Sequence, residues 1–171
     1  MKPGIVIWVL GRRERIDAAG AAVQAAVKDF FPFSIVLSED DVKQNLCSGE
    51  PQGADVRALA ARRTGWICRL LERSGGAAIA LSEASRRDER DAVRKTAAAM
   101  IEVLVSGAGS PELEPPFYPE VEIAGGDGPE EIKAKVLQAL KSIGLLDESS
   151  KQYDENEEKL VKDRLEKLGY L

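Results

Sequence analysis

The chain has 171 residues, 44% hydrophobic and 31% charged, which fits one folded domain with a sizeable core and excludes a disordered or fibrous protein. Its formal net charge of −5 comes without any long run of Lys or Arg, which argues against nucleic acid and anionic membrane as partners. There is no His, and the two cysteines, Cys47 and Cys68, are not spaced like metal ligands, so a zinc centre and a Cys–His nucleophile are excluded and both thiols are expected to be reduced.

The first element is the apolar, β-branched run from Gly4 to Leu10, which suits a strand buried on both faces of a parallel sheet. No basic leader precedes it, and no apolar stretch reaches the roughly 18 residues of a membrane span, so the expected location is the cytoplasm. An alanine-rich helix is expected from about Asp17 to Asp29, followed by a strand over Ser34 to Leu37. A second helix fits about Asp55 to Ser74, with Leu59, Trp66, Ile67, Leu70 and Leu71 as its apolar stripe and Gly75-Gly76 as its stop. Trp8 and Trp66 each lie in an apolar periodic run and are expected in the core.

Next come a strand at Ala77 to Leu81, a helix from about Arg87 to Ala98 and a strand at Met100 to Val105. A turn-rich stretch from Gly107 to Pro119 leads to a short strand, Pro119 to Ile123, and Gly128-Pro129 opens a helix with Ile132, Val136, Leu137 and Leu140 on one face. The alternation predicts an α/β fold of three layers, a mainly parallel five-stranded sheet flanked by helices. Residues 147–156 are polar and read as a linker, which ends the domain near Leu146. Beyond it, 157–171 carries Leu160, Val161, Leu165, Leu168 and Leu171 at helical spacing. This C-terminal amphipathic helix is expected to cover its own domain, a second copy or a protein partner.

In a fold of this layout, the turn after the first strand can carry G-x-x-x-x-G-K-[ST], whose backbone N–H groups curl around phosphates while the lysine neutralises them. Here the turn reads Gly11-Arg12-Arg13-Glu14-Arg15-Ile16-Asp17-Ala18. Aligned on that motif, only Gly11 is kept: Ile16 takes the place of a glycine, Asp17 of the lysine, and Ala18 of the hydroxyl that binds magnesium. A carboxylate beside a polyphosphate repels it, at a loss of roughly several kcal/mol relative to lysine. Arg12, Arg13 and Arg15 could draw a simple anion to this helix start, and Glu14 and Asp17 oppose it.

Five segments in order resemble the adenylylsulfate kinase family, P-loop kinases that phosphorylate the ribose 3′-hydroxyl of adenylyl sulfate. Gly4 to Gly11 is similar to its G-x-x-x-W-x-x-G, Val36 to Lys43 to its L-D-G-D-N-V-R, and Arg62-Arg63-Thr64-Gly65 to its R-R-x-G. Arg86 to Arg94 resembles Y-R-x-D-R-D-x-V-R, and Glu114-Pro115-Pro116 the Y-E-P-P segment. The resemblance covers about residues 3–145 and implies a P-loop NTPase-like fold, with Asp40 as a vestigial catalytic acid beside Ser38 and Glu39, which replace the family's other acid and glycine. It further implies that Lys43 and Arg57 stand where substrate-gripping arginines belong, that Ala60 replaces a nucleotide-contacting asparagine, and that only Ser106 to Leu113 remain for a lid.

Two readings of these charges stand side by side. Glu39-Asp40-Asp41 is also what a helix N-terminus attracts, and Lys43, Arg57, Arg87 and Arg90 form either an anion or sulfonucleotide pocket or solvated helix faces. The leading expectation is a degenerate, catalytically inactive family member kept as a binding, regulatory or assembly module. It needs no cofactor, and ATP and Mg enter only if the site works; the rival is an atypical active kinase.

Overall fold

β1 (Ile5–Leu10) is buried along its whole length because it pairs in parallel with a strand on each side, β3 (Ala77–Ser82) and β4 (Met100–Val105). β2 (Ser34–Ser38) adds beyond β3 and β5 (Val121–Ile123) beyond β4, so the five-stranded sheet runs β2-β3-β1-β4-β5 with every pairing parallel. The protein is seen in a computed structural model that describes residues 3–51, 55–107 and 110–146. The expected linker and C-terminal helix, 147–171, lie outside the described residues.

Five helices are present among the described residues: α1 (Arg13–Val27), α2 (Glu39–Leu46), α3 (Val56–Arg73), α4 (Arg87–Arg94) and α5 (Pro129–Ser142). Val6, Trp8 and Leu10 face one side of the sheet and pack with Ala78, Ala80, Cys68 of α3 and Val93 of α4. Alternation sends Ile5, Ile7 and Val9 to the other side. There α1 buries Ile16, Ala19, Gly20, Val23, Ala26 and Val27, and it lies so close to β3 that a Cβ on Gly20 would meet the Leu81 side chain at 2.6 Å. Burial pushes the Cys68 thiol up to about 12, and Cys47 is buried and free as well.

Several boundaries differ from expectation, each for a local reason. α1 begins at Arg13 instead of about Asp17, so Arg13 to Ile16 sit in the helix and not in the loop before it. α2 was not expected; Ser38 caps it, its hydroxyl accepting from the Asp40 N–H at 3.1 Å, and its acidic first turn suits the positive end of the helix dipole. α4 stops at Arg94, short of Ala98. Trp66 corrects another expectation: it is 65% exposed, and Leu70 is 43% exposed. α3 buries the small residues Ala60, Ala61, Thr64, Gly65 and Cys68 instead, which lets it approach closely; a Cβ on Gly65 would meet Val93 at 2.4 Å.

The chain divides into two compact units, Met1–Ala139 and Leu140–Leu171. In the second unit the described residues finish the helix: Gly144 takes φ +72, and the N–H groups of Gly144 and Leu145 return to the carbonyls of Lys141 and Leu140. No helix among the described residues is long and apolar enough to cross a membrane.

Candidate functional site

Ligands of open parallel sheets lie outside the carboxyl ends of the strands, where the loops leave a crevice. Here that edge is formed by Gly11 after β1, Ser38 ending β2, Ser82 ending β3 and Ser106 after β4. A cleft of about 260 Å³ opens at the ends of β2 and β3, lined by Arg13, Glu39, Asp40, Lys43, Arg57 and Glu83 among others.

Between β1 and α1 stand only Gly11 and Arg12. The P-loop motif places a longer glycine-bearing segment between strand and helix. Gly11 is buried, and a Cβ there would meet the Val105 Cβ at 2.9 Å and the Ile16 Cγ2 at 3.1 Å. Ile16 itself is 3% exposed. Arg15 reaches across the strand ends and donates to the carbonyls of Ser106 at 2.5 Å and Ala124 at 3.3 Å, joining the backbone after β4 to the backbone after β5. Asp17 and Ala18 are exposed positions of α1.

The remaining candidates divide between two places. Asp40 is paired with Arg13 across the cleft. Lys43 is exposed on the cleft wall, and Ala60 lies beneath it, 3% exposed. Arg57 also lines the cleft, but Glu89 holds its guanidinium at both ends, at 2.9 and 2.8 Å, while the Ala84 carbonyl accepts at 3.2 Å. The Glu89 hydrogen bond raises the Arg57 pKa further above its ordinary value.

Arg87 and Arg90 are not in this cleft. Arg87 lies over the Phe117 ring at 4.0 Å and beside Glu114 at 3.6 Å. Arg90 is fully buried and donates to Glu102 at 2.5 Å, to the Ser85 carbonyl at 2.9 Å and to the Glu114 carbonyl at 2.7 Å. That contact, with the Glu114 N–H on the Ser85 carbonyl at 3.2 Å, ties down the segment that follows the expected lid. Residues 108–109 of that lid lie outside the described residues.

Sequence reasoning missed Glu39. Its side chain is 9% exposed, and one carboxylate oxygen accepts from the Ser82 hydroxyl at 2.6 Å while the other is shielded and has no hydrogen-bond partner. Burial, aided by the Glu89 charge, raises its pKa to about 7 against the lowering pull of Ser82. The acidic run 39–41 was visible in sequence, but nothing local says which of its three carboxyls is turned inward. Among the described residues no cluster of three His, Cys, Asp or Glu is arranged to hold a metal.

No protein-family model matches the chain. The adenylyl-sulfate kinase of Rippkaea orientalis (strain PCC 8801 / RF-1) is 27% identical over 175 residues, which covers 84% of this chain and 94% of that protein. The hexameric APS kinase from Thiobacillus denitrificans aligns with a TM-score of 0.68 at 21% identity, over 85% of this chain and 30% of that one. The fold is that of the adenylyl-sulfate kinases, a P-loop kinase fold. The Mycobacterium tuberculosis APS kinase CysC in complex with AMPPNP and APS gives 0.67 at 17% identity, over 82% of this chain and 99% of that one. The adenylyl-sulfate kinase-like chain therefore spans 30% of the Thiobacillus chain and nearly the whole of the other two relatives.

Proposed function

We propose that this adenylyl-sulfate kinase-like chain does not transfer phosphate and serves as a binding, regulatory or assembly module, with sulfonucleotide metabolism as its setting. The observation that carries the reading is the two-residue turn, Gly11-Arg12, between β1 and α1. Phosphoryl transfer rests on positioning and on electrostatic stabilisation of the phosphates, and the phosphate loop supplies both. A helix that starts at Arg13 leaves no glycine loop to wrap a polyphosphate, Ile16 is buried where the motif has a glycine, and the Arg15 guanidinium is engaged by the Ser106 and Ala124 carbonyls. The chain's own residues do not fit the polyphosphate of ATP or a magnesium ion bridging it: the turn has no lysine, and Ala18 has no hydroxyl.

A sulfonucleotide or small anion would meet Lys43 as the exposed cation of the cleft, since Arg13 and Arg57 are engaged by Asp40 and Glu89. Calorimetric titration with ATP-magnesium, adenylyl sulfate and its 3′-phosphorylated product, together with a coupled turnover assay, tests the reading. The expected result is no turnover and no heat from ATP, in the wild type and in Asp17→Lys alike, because a lysine on the helix does not rebuild the loop. Turnover of adenylyl sulfate with ATP, or micromolar ATP binding that is lost on changing Arg13 or Ile16, would establish the active-kinase alternative.

A further inference from the structure

The outer face of α3 is built differently from the rest of this acidic surface. Trp66, on a helix whose other side is buried, is 65% exposed, and Leu70, four residues on, is 43% exposed. Arg62 and Arg69 precede and follow Trp66 by four and three residues, so all three share one helical face. Among the described residues neither arginine has a carboxylate within ion-pair distance, and the Arg69 Nε is buried without a hydrogen-bond partner. Beside this stripe a groove of about 440 Å³ runs between α3 and α4, lined by Gly65, Ala92 and Val93 and, on the α4 side, by Arg86, Asp88 and Glu89, of which Glu89 is held by Arg57, so arginines outnumber the carboxylates left to face a ligand.

We infer that the α3–α4 groove docks an acidic peptide segment that carries an aromatic or large aliphatic residue. Three features select that occupant. An exposed Trp flanked by two unpaired guanidiniums offers an apolar anchor between two anion sites, the residue types that carry most of the binding energy at interfaces. Arginine favours carboxylates through its planar fork of donors, and the lone buried Nε gains a partner only when one arrives. A second copy docking face to face would set Arg62 and Arg69 against their own counterparts, so charge disfavours it.

Spacing sharpens the ligand. Seven helical residues separate the arginines by about 10 Å, a span an extended peptide covers in about three residues. Because side chains of an extended peptide alternate between faces, the matching segment has acids about four positions apart with the apolar side chain midway, all three on one face. This site is on α3 and α4, away from the cleft at the strand ends, and it stands whether or not the domain turns over nucleotide.

Fluorescence polarisation of the full chain with a labelled synthetic peptide, a central Phe-Leu pair between Asp and Glu residues, reads the proposal directly. Saturable binding is expected, weakened at least about tenfold by Trp66→Ala and by Arg62→Glu with Arg69→Glu, and weakened similarly when Asn and Gln replace the acids. Arg62→Lys should lose less than Arg62→Glu, and added salt should weaken binding. The inference is overturned if the peptide does not bind, if these variants bind it as the wild type does, or if the uncharged peptide binds equally well. Self-association that Trp66→Ala abolishes, with no peptide binding, would mean a second copy fills the groove and would overturn it too.

Discussion

Two groups of buried charge in this chain are treated in opposite ways. Around Arg90 the network is closed: Arg90 bonds Glu102 at 2.5 Å, Glu102 reaches Arg94 at 2.9 Å, Arg94 reaches Glu120 at 2.8 Å, and Glu120 accepts the Glu102 N–H at 2.7 Å. At the strand ends Glu39 is left with one carboxylate oxygen unpartnered and its pKa raised to about 7. The closed network takes both its arginines from Arg86 to Arg94, one of the segments that resemble the kinase family. A segment that resembles the kinase family thus has a structural part here, holding the stretch around Glu114 and the strand at Glu102 together.

The comparison is easiest to break at its closed end. Arg90→Ala removes a fully buried guanidinium and leaves Glu102 with Arg94 alone, and a broken buried pair costs about 3–5 kcal/mol. Urea unfolding should show a loss of that order. A loss under about 1 kcal/mol would mean that water or Arg94 replaces Arg90 and that the network is not structural.

Glu39 tests the open end, and its sign is opposite to that of most carboxylates. Its folded pKa of about 7 lies above the ordinary 4.5, so the folded state holds the proton more tightly. The stability this contributes is complete below pH 4.5 and is lost as pH rises through 7. Glu39→Gln has no charge to bury and should exceed the wild type by about 3 kcal/mol in mildly alkaline buffer, with the difference disappearing in acid. Asp55 and Asp127, lowered by the Ala58 N–H and by Lys135, act in the other direction but are common to both proteins and cancel. Equal unfolding curves at the two pH values would show that Glu39 is solvated and not buried.

Much of the scaffold was legible because strand burial writes itself as unbroken apolar runs: β1, β3 and β4 fall where Gly4–Leu10, Ala77–Leu81 and Met100–Val105 place them. What misled was alignment on a motif, which left residues 13–16 in a loop although their sequence continues into the helix. α2 escaped because Val42 and Leu46 are its only large apolar residues, leaving no periodic stripe. The candidate arginines were recognised as charges, but whether a guanidinium meets a ligand or a carboxylate depends on tertiary neighbours: Glu89 for Arg57, Glu102 for Arg90. Trp66 was placed inside because it lies in an apolar periodic run, whereas close helix packing selected the small face of α3.

That last point sets a smaller prediction. Gly65→Ala gains about 1 kcal/mol of helix propensity, but its Cβ would stand 2.4 Å from the stiff Val93 side chain. Overpacking of this kind costs about 1–3 kcal/mol, so a net loss of about 1 kcal/mol is expected. Adding Val93→Ala should make the Gly65→Ala step favourable. Additive effects of the two substitutions would show that α3 does not rest on α4 at this point.

The smallest effect bears directly on the cleft. Ser38 stands where the kinase family's pattern has its first acid, yet here its hydroxyl caps α2 by accepting from the Asp40 N–H at 3.1 Å. Ser38→Ala removes that cap and should cost about 1 kcal/mol. Asp is as good an N-cap as Ser, so Ser38→Asp should unfold within about 0.5 kcal/mol of the wild type while restoring the acid. If this residue serves the helix and the missing phosphate cradle is what limits the site, Ser38→Asp gains neither ATP binding by calorimetry nor turnover. Activity appearing in that single variant would place the limit at β2 instead, and the two-residue turn after β1 would no longer support the proposed inactivity.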